Sequence, residues 1–126
     1  MIDLEKWKFG IKNNELISLV LANKKTATTS LYESNMKLPV IGEKSVICYD
    51  NGTKACVVKT VDFVIMKFKE MNEQYAKLEG EGDLSLEYWK KTHYDFFKSI
   101  NHSFNDESKI VFEIFELIKI GVERDE

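Results

Sequence analysis

Asn51-Gly52 lies between two runs of strand-forming residues, and the second run is long for a hairpin arm. Asn-Gly supplies the positive φ angles of a tight turn, so Ser45 to Tyr49 and Lys54 to about Phe68 are expected to form a hairpin. The second arm is long enough to bend and to pair on two sides. A two-residue turn would set Asp50 against Thr53, Cys48 against Ala55 and Ile47 against Cys56. Cys48 and Cys56 then fall in adjacent rungs and point to opposite faces, which argues against a disulfide. Both read as buried small hydrophobes, and no metal-ligand spacing accompanies them.

The rest of the chain alternates helices with short strands. Asn13 or Asn14 is expected to cap a helix running to about Ala22, with Leu16, Ile17, Val20 and Leu21 as its inward stripe. Thr26 to Ser30 is short and β-branched, which predicts a strand. Residues 31–44 hold the single proline, Pro39, and read as a loop that lines a site and leads to a turn at Gly42. Met71 to Leu78 predicts a short helix ended by Gly80, and Asp83 or Ser85 starts another running to about Ile100. Lys109 to Lys119 is rich in Ile, Val and Phe and reads as the closing strand. Helices that cannot all be parallel crossovers predict an α+β fold: a small, mostly antiparallel β-barrel with flanking helices.

The 126 residues suit one domain, residues 1–126, with enough surface to bury for a core without staples. No apolar run reaches the length of a membrane span, and Asp3, Glu5, Lys6 and Lys8 interrupt the amino terminus, so a soluble cytoplasmic protein is expected. A net charge of −3 argues against a nonspecific nucleic-acid coat. Of the 18 basic residues, Arg124 is the single arginine. Arginine is the better donor for bidentate phosphate and guanine contacts, so DNA-reader features are missing.

Asn23-Lys-Lys-Thr-Ala-Thr-Thr-Ser30 concentrates the candidate chemistry. Lys25 precedes Thr28 by three residues, where a helix gives way to a strand. Cations beside hydroxyls can hold an anion; a lysine whose pKa burial lowers can also act as base to a hydroxyl nucleophile. Residues three apart on a regular strand face opposite ways, so Lys25 must lie in the turn after the helix for the pair to meet. Glu79 precedes Gly80 at the unfavourable negative end of a helix dipole, which marks it as an acid or base of raised pKa. Trp7, Phe9, Tyr32, Tyr75 and Trp89 are the aromatics able to stack on a flat base, with Trp7, flanked by Lys6 and Lys8, the better placed for ligand contact. Trp89 reads as core, His93 as a hydrogen-bonded packing histidine and His102 as a surface residue.

Leu21-Ala-Asn-Lys-Lys-Thr-Ala-Thr-Thr-Ser-Leu31 resembles the Gly-x-Lys-Thr-x-Thr signature of ASCH domains. Trp7-Lys-Phe-Gly10, the run Tyr75-Ala-Lys-Leu-Glu-Gly-Glu-Gly-Asp83, Ser85-Leu-Glu-Tyr-Trp89 and His93 are similar to a bacterial branch of that family. The resemblance spans nearly the whole chain and implies a PUA-like barrel. Asn23 replaces the family's glycine, and Ser30 stands where many ASCH proteins carry arginine, which weakens any carry-over of phosphate binding. One ASCH subgroup removes the acetyl group from acetylcytidine with a lysine, a threonine three residues later and a glutamate in an Ala-x-x-Glu pattern. Lys25, Thr28 and Ala76-Lys-Leu-Glu79 match these positions. The resemblance therefore implies Lys25, Thr28 and Glu79 as catalytic residues. Trp7, Phe9, Thr26, Ser30, Tyr32 and Glu81 are the candidate ligand contacts, no cofactor or metal is expected, and the partner is a nucleoside or RNA. A noncatalytic RNA- or nucleotide-binding module, with Lys25 on a phosphate, and a metal-independent ribonuclease are the alternatives.

Overall fold

The structure is a computed structural model that describes residues 4–121. Its strands are β1 (Glu5–Trp7), β2 (Ala27–Leu31), β3 (Lys44–Cys48), β4 (Lys54–Lys67) and β5 (Lys109–Ile120). Its helices are α1 (Asn13–Leu21), α2 (Glu73–Glu79) and α3 (Leu86–Ile100), with a 3-10 turn at Phe68–Glu70. The strands form one sheet in the order β1-β3-β4-β5-β2. β1 runs parallel to β3, while the other neighbours are antiparallel. The α+β expectation holds, with the sheet a mixed half-barrel.

β4 curls the sheet. It pairs with β3 along one edge and with β5 along the other, as its length predicts, and slips register against β5 between Val57 and Val58 and again between Thr60 and Asp62. Such bulges bend a strand and increase its twist. A third irregularity changes the expected hairpin register. Ile47 pairs with Cys56 as predicted, but Cys48 pairs with Lys54, because the connection is longer than two residues and Tyr49 N donates to Thr53 O. Both cysteines are buried and free, and they face different core clusters. Burial pushes the Cys56 thiol up to about 11, which keeps it protonated and inert.

Two apolar clusters meet at the site. In the first, Leu16, Ile17 and Val20 of α1 pack on Ile47, Cys56 and Phe115 with Phe9; each such side chain is worth about 1.5–3 kcal/mol when buried. In the second, Trp89 and Phe97 of α3 pack on Phe68, Phe104 and Phe112 beneath α2. Asn13 does not cap α1. Lys12, at φ 49°, takes the cap position, and Asn13 is buried, accepting from Phe9 N at 2.8 Å and donating to Cys48 O at 2.9 Å. It thereby ties the segment carrying Phe9 to the hairpin. Ser85, rather than Asp83, caps α3, its hydroxyl accepting from Tyr88 N. Among the described residues no helix is long and apolar enough to cross a membrane.

Candidate functional site: a buried lysine between two carboxylates

Lys25 reaches the core because the chain leaves α1 by a tight, left-handed turn. Asn23 adopts φ 62°, the conformation expected of asparagine there, and the Lys24 and Lys25 amides return to Leu19 O at 2.9 and 3.1 Å. Lys25 therefore precedes β2 instead of lying on it, which lets it share a cavity with Thr28. Thr26 then closes the end of α2. Its amide and its hydroxyl donate to Leu78 O at 2.7 and 3.2 Å, satisfying a carbonyl that has no partner within the helix.

Lys25 is 1 % exposed, and Nζ donates to Glu79 Oε1 at 2.7 Å and to Glu81 Oε2 at 2.6 Å. Glu79 is equally buried and is held by three donors. Besides Lys25, Thr29 Oγ1 donates to its Oε2 at 2.5 Å and Trp89 Nε1 donates to the same oxygen at 3.1 Å. His93 stacks on Trp89 with ring centroids 4.2 Å apart, and its Nε2 stands 3.9 Å from Glu79 Oε1. Phe9 covers the lysine, its ring centroid 5.3 Å from Nζ. An ammonium at the C-terminal end of α2 also complements the helix dipole.

The electrostatics invert the sequence expectation. Burial is the largest influence on Lys25 and acts to lower its pKa, yet the carboxylates of Glu79 and Glu81 together outweigh it. Its pKa stands above the ordinary 10.5, so the residue is an ammonium rather than a ready base. Glu79 was expected to be a raised-pKa acid or base. Burial does push it up, but Lys25, His93 and Thr29 prevail and leave it below the ordinary 4.5. The helix-dipole penalty loses to one well-placed ammonium.

Gly80 makes this geometry possible. It caps α2 at φ 70° and turns the chain so that Glu79 and Glu81 both meet Lys25. A β-carbon there would stand 2.1 Å from Lys24 O and 3.0 Å from Lys25 Cα. Gly80→Ala is therefore expected to cost more than about 2 kcal/mol, from left-handed strain plus the clash. Urea denaturation checks this, and an unchanged midpoint would contradict the close approach.

Lys25, Thr28, Glu79 and Glu81 line one small cavity with Thr29, Thr92 and His93. It adjoins a larger cavity of about 370 Å³, and Phe9, Gly10, Thr28, Thr29 and Phe96 line both. Trp7 and Ser30 line the larger one, and Trp7 Nε1 donates to Ser45 Oγ at 2.9 Å, which fixes the indole. The loop between β2 and β3 forms a wall through Met36, Lys37, Leu38 and Pro39. Lys37 spans Glu5 and Glu43 at 3.4 and 3.5 Å and pins that wall.

Two expected ligand contacts lie elsewhere. Neither Thr26 nor Tyr32 lines these cavities: Thr26 is committed to Leu78, and the Tyr32 ring lies under Lys109 Nζ at 5.8 Å. Tyr75 stacks on Phe112 at 4.5 Å. Four residues hold site positions that the sequence reading did not assign to them. Thr29 and Trp89 hold Glu79, His93 lines the small cavity, and Glu113 lines the large one. Strand alternation could have flagged Glu113, an acid amid apolar residues; the others depend on long-range contacts.

Glu79, Glu81 and His93 offer three metal-ligating atoms within 4.8 Å of one another. Lys25 already takes an oxygen of each carboxylate, so a cation there would bind against a buried positive charge.

The half-barrel with a buried lysine–carboxylate pair at its mouth defines a small cleft-bearing domain of PUA-like architecture. The chain belongs to the ASCH domain family, whose model matches residues 5–119. A protein from Enterococcus faecalis V583 is similar at 27% identity and TM-score 0.86, over 98% of this chain and 81% of that one. An ASCH domain from Lactobacillus crispatus JV V101 shares the fold at 24% identity and TM-score 0.86, over 93% and 80%. The ASCH protein of Zymomonas mobilis shares it at 11% identity and TM-score 0.60, over 94% and 72%. No curated protein matches the sequence.

Proposed function

We propose that this ASCH domain hydrolyses an amide on an acylated cytosine nucleoside, with Lys25, Thr28 and Glu79 as its working residues. The observation that carries this reading is the small cavity in which the buried Lys25–Glu79 pair and Thr28 share one lining. The Thr28 hydroxyl attacks the acyl carbonyl and gives its proton to Lys25, which passes it to the leaving amine. Water then hydrolyses the acyl-threonine. Glu79, locked by three donors and held ionised, positions Lys25 and is not the acid.

Lys25 must first lose a proton, and Glu81 is the group that can release it. Glu79 is 1 % exposed at its side chain and Glu81 12 %, so Glu81 is the partner a ligand can displace. Without it, one of the two carboxylates that oppose burial is gone, and the Lys25 pKa falls toward the neutral amine. Glu81→Gln is thus expected to move the alkaline-rising limb of the rate–pH profile to lower pH. A limb that stays in place would show that Lys25 is not the titrating base.

Charge favours a small ligand over an RNA strand. Lys25 is outnumbered by its two carboxylates and has no positive charge to spare for phosphate. The larger cavity sets Glu5, Glu43 and Glu113 against Lys8 and Lys37. Incubation with acetylcytidine, followed by release of cytidine, tests the proposal. Absence of turnover together with tight, strongly salt-dependent RNA binding would replace it with an RNA-binding module.

A further inference from the structure

We propose that Glu113 sets the base specificity of the large cavity: its carboxylate accepts a hydrogen bond from an exocyclic N–H of the bound heterocycle, selecting an aminopyrimidine over its oxo counterpart. The inference rests on the nucleoside reading above and adds the atom that distinguishes one base from another.

Register places this carboxylate beside the reacting hydroxyl. Glu113 of β5 is the direct cross-strand partner of Thr28 of β2. Directly opposed side chains leave the same face of a sheet with β-carbons about 5 Å apart. Both residues line the large cavity, as does the half-buried Trp7. Bound across this pair, an amide presents its carbonyl to Thr28 and its nitrogen to Glu113.

The carboxylate is half-satisfied. Thr60 Oγ1 donates to Glu113 Oε2 at 2.6 Å and fixes its rotamer. Among the described residues no cation pairs with Glu113, and Oε1 is left as an acceptor. Burial pushes the Glu113 carboxyl up, Thr60 opposes that, and Glu5 and Glu43 add to it. Glu113 is half-buried and lines the cavity, where its carboxylate can accept a ligand N–H.

Cytosine presents an amino group at this edge and uracil a carbonyl, and an acidic side chain accepts from the first and repels the second. Acylation of the amine keeps one N–H, so substrate and product make the same contact.

Calorimetric titration of cytidine and of uridine tests this without requiring turnover. The wild-type protein is expected to bind cytidine at least about tenfold more tightly than uridine. Glu113→Gln keeps size and the Thr60 contact, and its amide can face either base, so the two affinities should converge within about twofold. Glu113→Ala, which leaves space instead, must also lose the preference. A preference that persists in either folded variant overturns the proposal and leaves amide hydrolysis standing. Failure of the wild type to bind or to discriminate overturns it as well. A preference that collapses on substitution, in a protein that never hydrolyses acetylcytidine, upholds Glu113 and removes the hydrolytic reading.

Discussion

Lys25→Met should unfold this protein at a far lower denaturant concentration than the wild type, with a loss of about 3–5 kcal/mol. Methionine fills the same space, so the cost is electrostatic. Glu79, 1 % exposed, would keep Thr29 and Trp89 as donors but lose its ammonium. The pH dependence gives the substitution a signature that a packing defect lacks. In the wild type the Glu79 pKa is depressed, so its contribution is complete above the ordinary 4.5 and fades as pH falls through the lower folded value. In Lys25→Met, burial acts unopposed by the ammonium and raises Glu79. The variant's deficit should then shrink as pH falls, because the neutral acid tolerates burial. Adding Glu79→Gln to Lys25→Met should recover part of the loss, and strict additivity would contradict the pairing.

Thr28→Val is expected to leave the melting temperature within about 2–3 °C of the wild type, since valine is a favourable strand residue on a half-buried face. Activity on acetylcytidine should fall by at least about a thousandfold, because no other group takes over a nucleophile's covalent role. Thr28→Ser keeps the hydroxyl and should retain part of the rate. Thr29→Val is the necessary contrast. Thr29, not Thr28, carries the hydrogen bond to Glu79, so its loss should disturb the Lys25–Glu79 pair and lower stability without removing the nucleophile.

The fold was legible where local pattern and topology agree. The long apolar run from Lys54 could pair on two edges and does so. β1 escaped notice because three residues including Glu5 and Lys6 offer no apolar alternation, and the strand exists only through its parallel pairing with β3. In the site, Lys25, Thr28 and Glu79 could be named from spacing and resemblance, and they share a cavity. Their protonation could not. Sequence sets Lys25 where a helix gives way to a strand, but does not show that the Gly80 turn delivers a second carboxylate, Glu81, to the same ammonium. That contact adds to Glu79 in holding the lysine's pKa up against burial. Thr26 and Tyr32 stand outside both cavities for a similar reason: their side chains meet Leu78 and Lys109, neighbours that only the folded chain provides.

An acyl-threonine at Thr28 is the central requirement of the proposed chemistry, and mass spectrometry of the protein quenched during turnover of acetylcytidine looks for it directly. The proposed site requires one acetyl group on the peptide spanning residues 26–30, assigned to Thr28 by fragmentation and missing from Thr28→Val. Cytidine release at the wild-type rate by folded Thr28→Val, with no acetyl group on Thr28 of the wild type, would contradict it.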